Sequence, residues 1–333
     1  MINGAGSDLP RVPSVPELIR ARAAGTNDDY TLGLTVEGGG MRGVVSGAML
    51  IALRDLGLAH VFDRFYGTSS GSMNLAYFAA GHGWDALSVY YDYLVSGFVR
   101  RRQLPHRPRL DMGYVFDEVM RNRIPLDSKK VASAPFDIRI VLSDVEDMRP
   151  VIVPVRSVPD RLPDYLMAGA WLPILAGPPP VLDGRRYLDG GLLWPDPLYA
   201  ALDEKCTHVL MLNTAPEGAR DNTSPFMAKA LHRVLNRWRT GLGDAYIGGR
   251  GPWAADRKEL GNAENVELRG TQVFRLCPPA GSHRVERLTI IRGELLDGAR
   301  AGYATIMNEF GQREARAYFA VVLGNYSSVI RGC

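Results

Sequence analysis

Short apolar runs alternate along this chain with segments whose apolar residues recur at helical spacing. The runs at 31–36 and 63–66 predict short strands, and the continuous run at 208–213 predicts a strand that is covered on both faces. After each of the first two runs, a glycine-containing turn leads into a helical pattern, beginning near Gly43 and at Ser70. The unit of strand, tight turn and helix therefore occurs twice.

The remaining chain continues this alternation. Strands are predicted at 136–142, 151–155, 186–188 and 272–276, and helices at 84–99, 114–121, 159–170, 226–239 and 292–323. An exposed loop rich in arginine and proline is predicted at 100–109. Because strands and helices alternate, the pattern predicts an α/β layered sheet.

Length and composition are those of a folded globular protein. The 333 residues are 46% hydrophobic and 23% charged, and 39 basic against 36 acidic residues leave a net charge of +3. That balance does not by itself imply a nucleic-acid partner. We expect a polar lead-in over 1–29 and a single domain over 30–333, in which 214–333 is mainly helical and contains no motif with an assigned role.

Cysteine content and the N-terminal sequence indicate a compartment. Cys206, Cys277 and Cys333 are odd in number and far apart, which favours neither a disulfide framework nor a metal site. The first thirty residues contain no apolar run of the kind that a signal peptide needs, and no stretch is long enough to cross a bilayer. We therefore expect a cytoplasmic protein whose contact with a membrane is at most peripheral.

The strongest chemical signal is Gly67-Thr68-Ser69-Ser70-Gly71, a G-x-S-x-G between a predicted strand and a predicted helix. A tight turn at this place lifts a hydroxyl out of the sheet, and glycine flanks allow the bend. The following helix directs free amide groups and the positive end of its dipole at the same place. These features predict that Ser69 is a nucleophile in acyl transfer.

A glycine loop with the sequence EGGGMRG occupies 37–43, directly after the first strand. Consecutive glycines let amide groups converge on an anion, so the loop predicts an oxyanion hole. It also spells G-x-G-x-x-G, a dinucleotide fingerprint, and Asp63 lies twenty residues beyond Gly43. A dinucleotide-binding protein is therefore an alternative, although it requires the acidic residue at the end of the second strand, whereas Asp63 begins that strand.

A third motif, Asp189-Gly190-Gly191, lies at the end of a predicted strand. A carboxylate followed by two glycines can approach another backbone closely, but D-G is also common in ordinary turns. The motif alone is therefore weak, and its value lies in its combination with the other two.

The order of strand, GGG-x-R-G, helix, strand, G-x-S-x-G, helix and later D-G-G resembles the patatin-like phospholipase family. The resemblance runs from about Thr31 to Asn213 and includes Asn74, Ala76 and the small-residue segment 168–173. It implies a three-layer α/β/α sandwich with a mainly parallel central sheet. It also implies a lipid acyl hydrolase that needs neither a cofactor nor a metal and acts on a phospholipid or another acyl-ester lipid.

In such enzymes a serine and an aspartate form a catalytic dyad without histidine. The resemblance implies that Ser69 attacks the acyl carbonyl, while Asp189 accepts its proton and later activates the hydrolytic water. The other site residues that it implies are the oxyanion glycines Gly38, Gly39 and Gly40, the loop-organising or phosphate-binding Arg42, the nucleophile-turn glycines Gly67 and Gly71, and the D-G-G glycines Gly190 and Gly191. Two departures are Glu37, where Asp or Ser is frequent, and the absence of a serine before Pro173. Neither removes a member of the dyad.

Two further alternatives stay open. A Ser-Asp-His triad would use one of His208, His232 and His283, although a structural or surface role explains each of them better. A lipid-binding module without turnover is the other alternative. Headgroup, acyl chain length and positional preference depend on the shape of the pocket and are not predicted from the sequence.

Overall fold

The computed structural model describes residues 11–100, 108–219 and 225–311. Within these ranges the strands are β1 (Leu32–Val36), β2 (Arg64–Thr68), β3 (Asp137–Asp144), β4 (Arg149–Pro154), β5 (Val181–Leu182), β6 (Arg185–Asp189), β7 (His208–Leu212), β8 (Asn265–Leu268) and β9 (Thr271–Leu276). The α-helices are α1 (Val15–Ala23), α2 (Gly43–Asp55), α3 (Ser70–Ala79), α4 (Trp84–Ser88), α5 (Val95–Gly97), α6 (Ser128–Ser133), α7 (Leu162–Ala168), α8 (Leu198–Asp203), α9 (Pro225–Trp238), α10 (Leu242–Glu259) and α11 (Arg292–Phe310). Two segments, Val89–Leu94 and Tyr114–Arg123, are π-helical.

The strands form one mixed sheet in the order β5-β6-β3-β2-β1-β7-β9-β8, and β4 also pairs with β3. The five consecutive strands from β3 to β9 in this order are parallel to one another. The pairs that involve β4, β5, β6 and β8 are antiparallel. The carboxyl ends of β1 and β2 therefore lie at the same edge of the sheet, where the two glycine-containing turns begin.

Helices cover this sheet on both faces because alternate residues of each strand point to opposite sides. In β7, Leu210 and Leu212 belong to the core that includes residues of α2, α3 and α11. Val209 and Met211, which alternate with them, belong to a second core that includes Leu198 and other residues of α8. The three-layer α/β/α arrangement with a mainly parallel centre is thus confirmed.

Several boundaries differ from those predicted. β2 continues through Gly67 to Thr68, because Gly67 is paired with Val36 on one side and with Ile140 on the other. Pairing on both edges outweighs the low strand propensity of glycine. The chain therefore passes from a buried strand directly into Ser69.

Two elements of the C-terminal part were not predicted, namely α10 and β8. α10 contains Pro252 and several glycines, which weaken any helical pattern in its sequence. The predicted helix at 292–323 is present as α11 up to Phe310, and its remainder falls beyond the described residues. Most of the loop predicted at 100–109 likewise lies outside them. None of the described helices is both long and apolar enough to cross a membrane.

Candidate active site

Ser69 stands between the end of β2 and the start of α3 in a backbone conformation that is unusual for serine. Its φ of 52° and ψ of −132° lie in a backbone region that residues other than glycine rarely adopt. Such a conformation costs on the order of 1–3 kcal/mol and persists only where the surrounding structure enforces it. The strain follows from turning sharply out of the sheet, which brings the hydroxyl to the carboxyl end of β2.

The two glycines that flank the turn are required by close packing. A Cβ on Gly67 would lie 2.8 Å from the amide nitrogen of Ser72, and a Cβ on Gly71 would collide with the carbonyl oxygen of Val36. Since both contacts are with backbone atoms, no side chain can move aside to relieve them. Both glycines predicted to shape the nucleophile turn therefore pack against backbone that leaves no space for a side chain.

Asp189 reaches the same place through β3. Val141 of β3 is paired with Thr68, and the next residue, Leu142, is paired with Asp189. β4 pairs with one edge of β3, so β2 and β6 pair with successive parts of the other edge, and β6 begins to pair where β2 ends. The side chain of Ser69, which follows Thr68, therefore lies near the Asp189 carboxylate and acts to lower the pKa of that group.

The Asp189 carboxylate is buried, with 4% of the residue exposed. Its Oδ1 accepts a hydrogen bond of 2.8 Å from the amide of Gly191. Burial raises the pKa of Asp189, while the nearby Ser69 side chain, the hydrogen bond from Gly191 and the positive charges of Arg287 and Arg250 oppose the rise in pKa without cancelling it. The carboxyl group is therefore a stronger base than an exposed aspartate.

Ser143 and Trp171 hold the backbone around Asp189 through hydrogen bonds. Ser143 Oγ donates to the carbonyl oxygen of Asp189 at 2.9 Å and accepts from the amide of Leu193 at 3.2 Å. The amide of Asp189 donates to the carbonyl oxygen of Trp171 at 3.1 Å. The one signal for Ser143 in the sequence is a hydroxyl near the end of a strand run that is otherwise mostly apolar. Trp171 acts through its main chain, which no sequence pattern reveals.

The glycine loop lies beside this pair with unused amide groups. The amide of Glu37 donates to Leu212 and that of Met41 donates to Arg287, each at 3.0 Å. Between them, the amides of 38–40 donate to no acceptor within the ranges that the structure describes. Gly39 has a φ of 150° and Gly40 a φ of 60°, values that favour glycine. The loop is thus suited to bind an anion through its backbone.

Arg42 and Glu37 fasten the loop to the sheet. Arg42 Nε donates to Thr214 Oγ1 at 2.8 Å, and its guanidinium lies 3.3 Å from Glu37. Glu37 also accepts from the Thr214 amide at 2.6 Å. Although burial opposes ionisation of Glu37, the Arg42 charge and the hydrogen bonds from Thr214 hold the pKa of Glu37 below its ordinary value. Glu37 is thus a structural anchor, and no sequence motif indicates Thr214.

Gly38 is the point at which this loop touches the nucleophile turn. A Cβ at this position would lie 2.5 Å from the carbonyl oxygen of Thr68 and 2.6 Å from the Cβ of Ser69. We expect Gly38→Ala to push the loop and the turn apart, lowering kcat/KM for an ester substrate by about a hundredfold or more. Overpacking of this kind also costs about 1–3 kcal/mol of unfolding free energy, which chemical denaturation would measure.

Gly248→Ala is the matched control, because a Cβ at Gly248 of α10 would meet no atom within 4 Å. Alanine in a helix is favoured over glycine, so this control is expected to keep full activity and to unfold at a slightly higher denaturant concentration. A Gly38→Ala protein with unchanged kcat/KM would show that the contact between loop and turn is not needed for activity.

The three histidines considered for a triad lie elsewhere. His208 begins β7, whereas Ser69 follows the end of β2, so the two residues are at opposite ends of parallel strands. His232 pairs with Asp244, and His283 lies 3.9 Å from Glu294. The geometry gives no support to a histidine triad. Within the described ranges, no group of three or more potential metal-binding side chains is found either.

Asp63, the acidic residue of the dinucleotide alternative, also lies at the wrong end of the sheet. It precedes β2, and its carboxylate accepts hydrogen bonds from the amide of Leu32 at 2.7 Å and from Arg22 at 2.8 Å. Dinucleotides bind beyond the carboxyl ends of parallel strands. Asp63 therefore has a structural role at the opposite edge.

Solved structures to which this chain is similar include two proteins. VipD from Legionella pneumophila aligns with a TM-score of 0.47 and 13% sequence identity, covering 86% of this chain and 67% of VipD. Human GIVD cytosolic phospholipase A2, solved with a fluorophosphonate inhibitor, aligns with a TM-score of 0.45 and 10% identity, covering 90% of this chain and 61% of the enzyme. The chain thus spans about two thirds of the length of each of these proteins. Comparison with curated protein sequences gives no significant match.

A sequence family described as Patatin-like phospholipase matches residues 34–202, which is just over half of the chain. This range contains the glycine loop, the G-x-S-x-G turn and the D-G-G motif. The resemblance predicted from these motifs is therefore confirmed, and the chain belongs to the patatin-like phospholipase family.

Proposed function

We propose that this protein hydrolyses acyl esters of lipids through a covalent acyl-Ser69 intermediate, with Asp189 as the general base. Family membership supports lipid acyl hydrolysis in general terms. The observation that supports the specific mechanism is that strand pairing brings Ser69 and the buried Asp189 carboxylate together, beside glycine amides that have no acceptor among the described residues.

In the acylation step, Ser69 Oγ attacks the carbonyl carbon of the ester while its proton passes to Asp189. The carbonyl oxygen becomes an oxyanion that the amides of 38–40 are placed to bind. Collapse of the tetrahedral intermediate breaks the bond between the carbonyl carbon and the alkoxy oxygen. The proton on Asp189 then goes to the leaving alcohol, which leaves an ester between Ser69 and the acyl group.

In the deacylation step, water takes the place of the alcohol. Asp189 accepts a proton from this water as its oxygen attacks the acyl-Ser69 carbonyl, and the same amides bind the second oxyanion. Release of a fatty acid returns the proton to Ser69 Oγ and restores the starting state. The same pair of residues thus serves both half-reactions.

The structure also indicates how a carboxylate can serve as base. Burial raises the pKa of Asp189 and so reduces the difference between its pKa and that of a serine hydroxyl. The gap that is left must be bridged by stabilising the transition state, and preorganised amide donors are worth about 3–4 kcal/mol each in such sites. A weak base beside a rigid backbone cradle is therefore a consistent combination.

A fluorophosphonate probe tests the proposal, because its phosphorus is attacked by an activated serine hydroxyl. We expect stoichiometric labelling at the peptide that contains Ser69, located by mass spectrometry, together with loss of hydrolysis of a short-chain nitrophenyl ester. Fatty acid release from mixed phospholipid micelles would show the lipid activity. Labelling at another residue, or no labelling of folded protein, would overturn the proposal. Binding of NAD without labelling would instead support the dinucleotide alternative.

A further inference from the structure

Six arginines line an open cleft at the carboxyl edge of the sheet. They are Arg42 of the glycine loop, Arg250 and Arg257 of α10, Arg275 of β9, and Arg284 and Arg287 of the segment between β9 and α11. We call this group the arginine cleft. Its members come from four separate parts of the chain, so the concentration of charge is created by the fold and is not visible as a run of basic residues.

Negative charge in the arginine cleft is scarce. Among the described residues that line it, Glu37 is the one acidic residue, and it is engaged by Arg42 and Thr214. Glu286, which does not line the cleft, lies 3.6 Å from Arg284. Asp196 lies behind the wall, where Asn213 donates to it at 2.9 Å. Burial and the neighbouring charge of Glu37 raise the pKa of Asp196 to about 7, so it is only partly ionised at neutral pH. The cleft therefore carries a large excess of positive charge.

Several of these arginines are oriented by neutral oxygens. Arg250 donates to the carbonyl oxygen of Gly191 at 2.9 Å, Arg257 to that of Ala219 at 3.0 Å, and Arg275 Nε to the side-chain oxygen of Asn213 at 2.7 Å. Carbonyl and amide oxygens orient a guanidinium and bring no negative charge of their own. Fixed guanidinium groups suit phosphate in particular, since their donors match two phosphate oxygens at once.

Two residues of the arginine cleft, Arg250 and Arg287, contact the backbone next to the catalytic pair and in the glycine loop. Arg250 donates a hydrogen bond to the carbonyl oxygen of Gly191, and the amide of Gly191 donates to the Asp189 carboxylate. The carbonyl oxygen of Arg287 accepts a hydrogen bond from the amide of Met41 in the glycine loop. Ser69 and Asp189 themselves do not line the cleft. An anion in the cleft would therefore sit next to the reacting ester without occupying its place.

We propose that the arginine cleft binds the phosphate of the substrate headgroup and selects lipids that carry a phosphomonoester. This inference rests on the proposed function, because it assigns the headgroup end of the same substrate. A phosphomonoester carries up to two negative charges, which suits a cleft whose described lining has more arginines than carboxylates better than the single charge of a phosphodiester or a neutral acylglycerol does. Hydrogen bonds to charged groups are worth about 1.5–3 kcal/mol, so we expect at least a tenfold preference.

The test compares phosphatidate with diacylglycerol of identical acyl chains, each in neutral detergent micelles. Wild-type protein is expected to have at least a tenfold higher kcat/KM on phosphatidate. In Arg257→Gln, Arg287→Gln and the double variant, this ratio is expected to fall stepwise towards one. The ratio is the right readout because an altered charge near Asp189 affects both substrates alike. Arg121→Gln, an exposed arginine outside the cleft, is the control and is expected to keep the ratio.

The possible results separate this inference from the proposed function. Wild-type protein that is labelled at Ser69 but hydrolyses both lipids equally would overturn the cleft inference alone. Protein that is neither labelled nor active on any ester would overturn both. If inorganic phosphate or glycerol 3-phosphate raises the melting temperature and changes nitrophenyl ester hydrolysis while the two lipids are hydrolysed equally, the cleft binds a soluble phosphate and the headgroup assignment is wrong.

Discussion

Alanine in place of Ser69 is expected to lower ester hydrolysis by about 10⁴-fold or more, because no covalent intermediate can then form and only the oxyanion site is left. Labelling by the fluorophosphonate probe should disappear with it. The fold should persist, since the hydroxyl is a single group on a half-buried residue, and the hydrogen bond from Gly191 still satisfies one oxygen of Asp189. Initial rates with a nitrophenyl ester and circular dichroism would measure the two properties.

Ser133→Ala is the matched control, because Ser133 is an exposed serine at the end of α6. It should keep both labelling and rate. A Ser69→Ala protein that hydrolyses the ester at more than a small fraction of the wild-type rate, after repeated purification, would mean that another nucleophile performs the reaction.

Asparagine in place of Asp189 is expected to reduce kcat by about 10³- to 10⁴-fold, because the serine then has no base of sufficient strength within reach. The same substitution should not lower the free energy of unfolding. Burial raises the pKa of Asp189 above its ordinary value of 3.8, so the ionised form is unfavourable in the folded protein. The asparagine variant should therefore be at least as stable as wild type at neutral pH. Chemical denaturation alongside kinetics would show a loss of activity without a loss of stability.

The pH dependence follows from the same shift in pKa. Below the pKa of Asp189 in the unfolded chain, the carboxyl group is protonated in both states and does not destabilise the folded protein. As the pH rises from there through the higher pKa of the folded state, the free energy of unfolding decreases, and this decrease should be absent in Asp189→Asn. Wild-type kcat/KM should fall on the acid side with an apparent pKa above 3.8. An acid limb at or below that value would show that Asp189 is not the base.

Asp203→Asn provides the control for both measurements, because Asp203 is an exposed carboxylate at the end of α8. Its replacement should change neither the acid limb nor the pH dependence of unfolding. If Asp203→Asn altered them to the same extent as Asp189→Asn, general surface charge would account for the effect.

The parts of the site that could be predicted are those that a short stretch of sequence determines by itself. A strand, a glycine-flanked serine and a helix follow one another without help from distant residues, so Ser69 and the glycine loop could be found from pattern alone. Asp189 needed the family resemblance, because D-G-G has no distinctive geometry until β6 pairs with β3.

The surroundings of the dyad could not be predicted because they come from distant positions. Ser143 and the carbonyl oxygen of Trp171 act on Asp189 across the sheet. Arg250 comes from α10, a helix whose glycines and proline conceal its period and whose packing against α9 outweighs its low propensity. Contacts of this kind depend on tertiary structure, and a single sequence carries no local trace of them.

Because β2 and β6 both pair with β3, Ser69 and Asp189 come together only late in the synthesis of the chain. A nascent chain that has formed β1, β2 and α3 already contains the serine turn, yet it lacks Asp189, the proposed base, until β6 emerges and aligns with β3. A slip of one residue in that alignment would turn the carboxylate to the opposite face of the sheet. On the proposed mechanism, incomplete or misregistered chains are therefore inert, and activity begins only with chains whose sheet has assembled correctly.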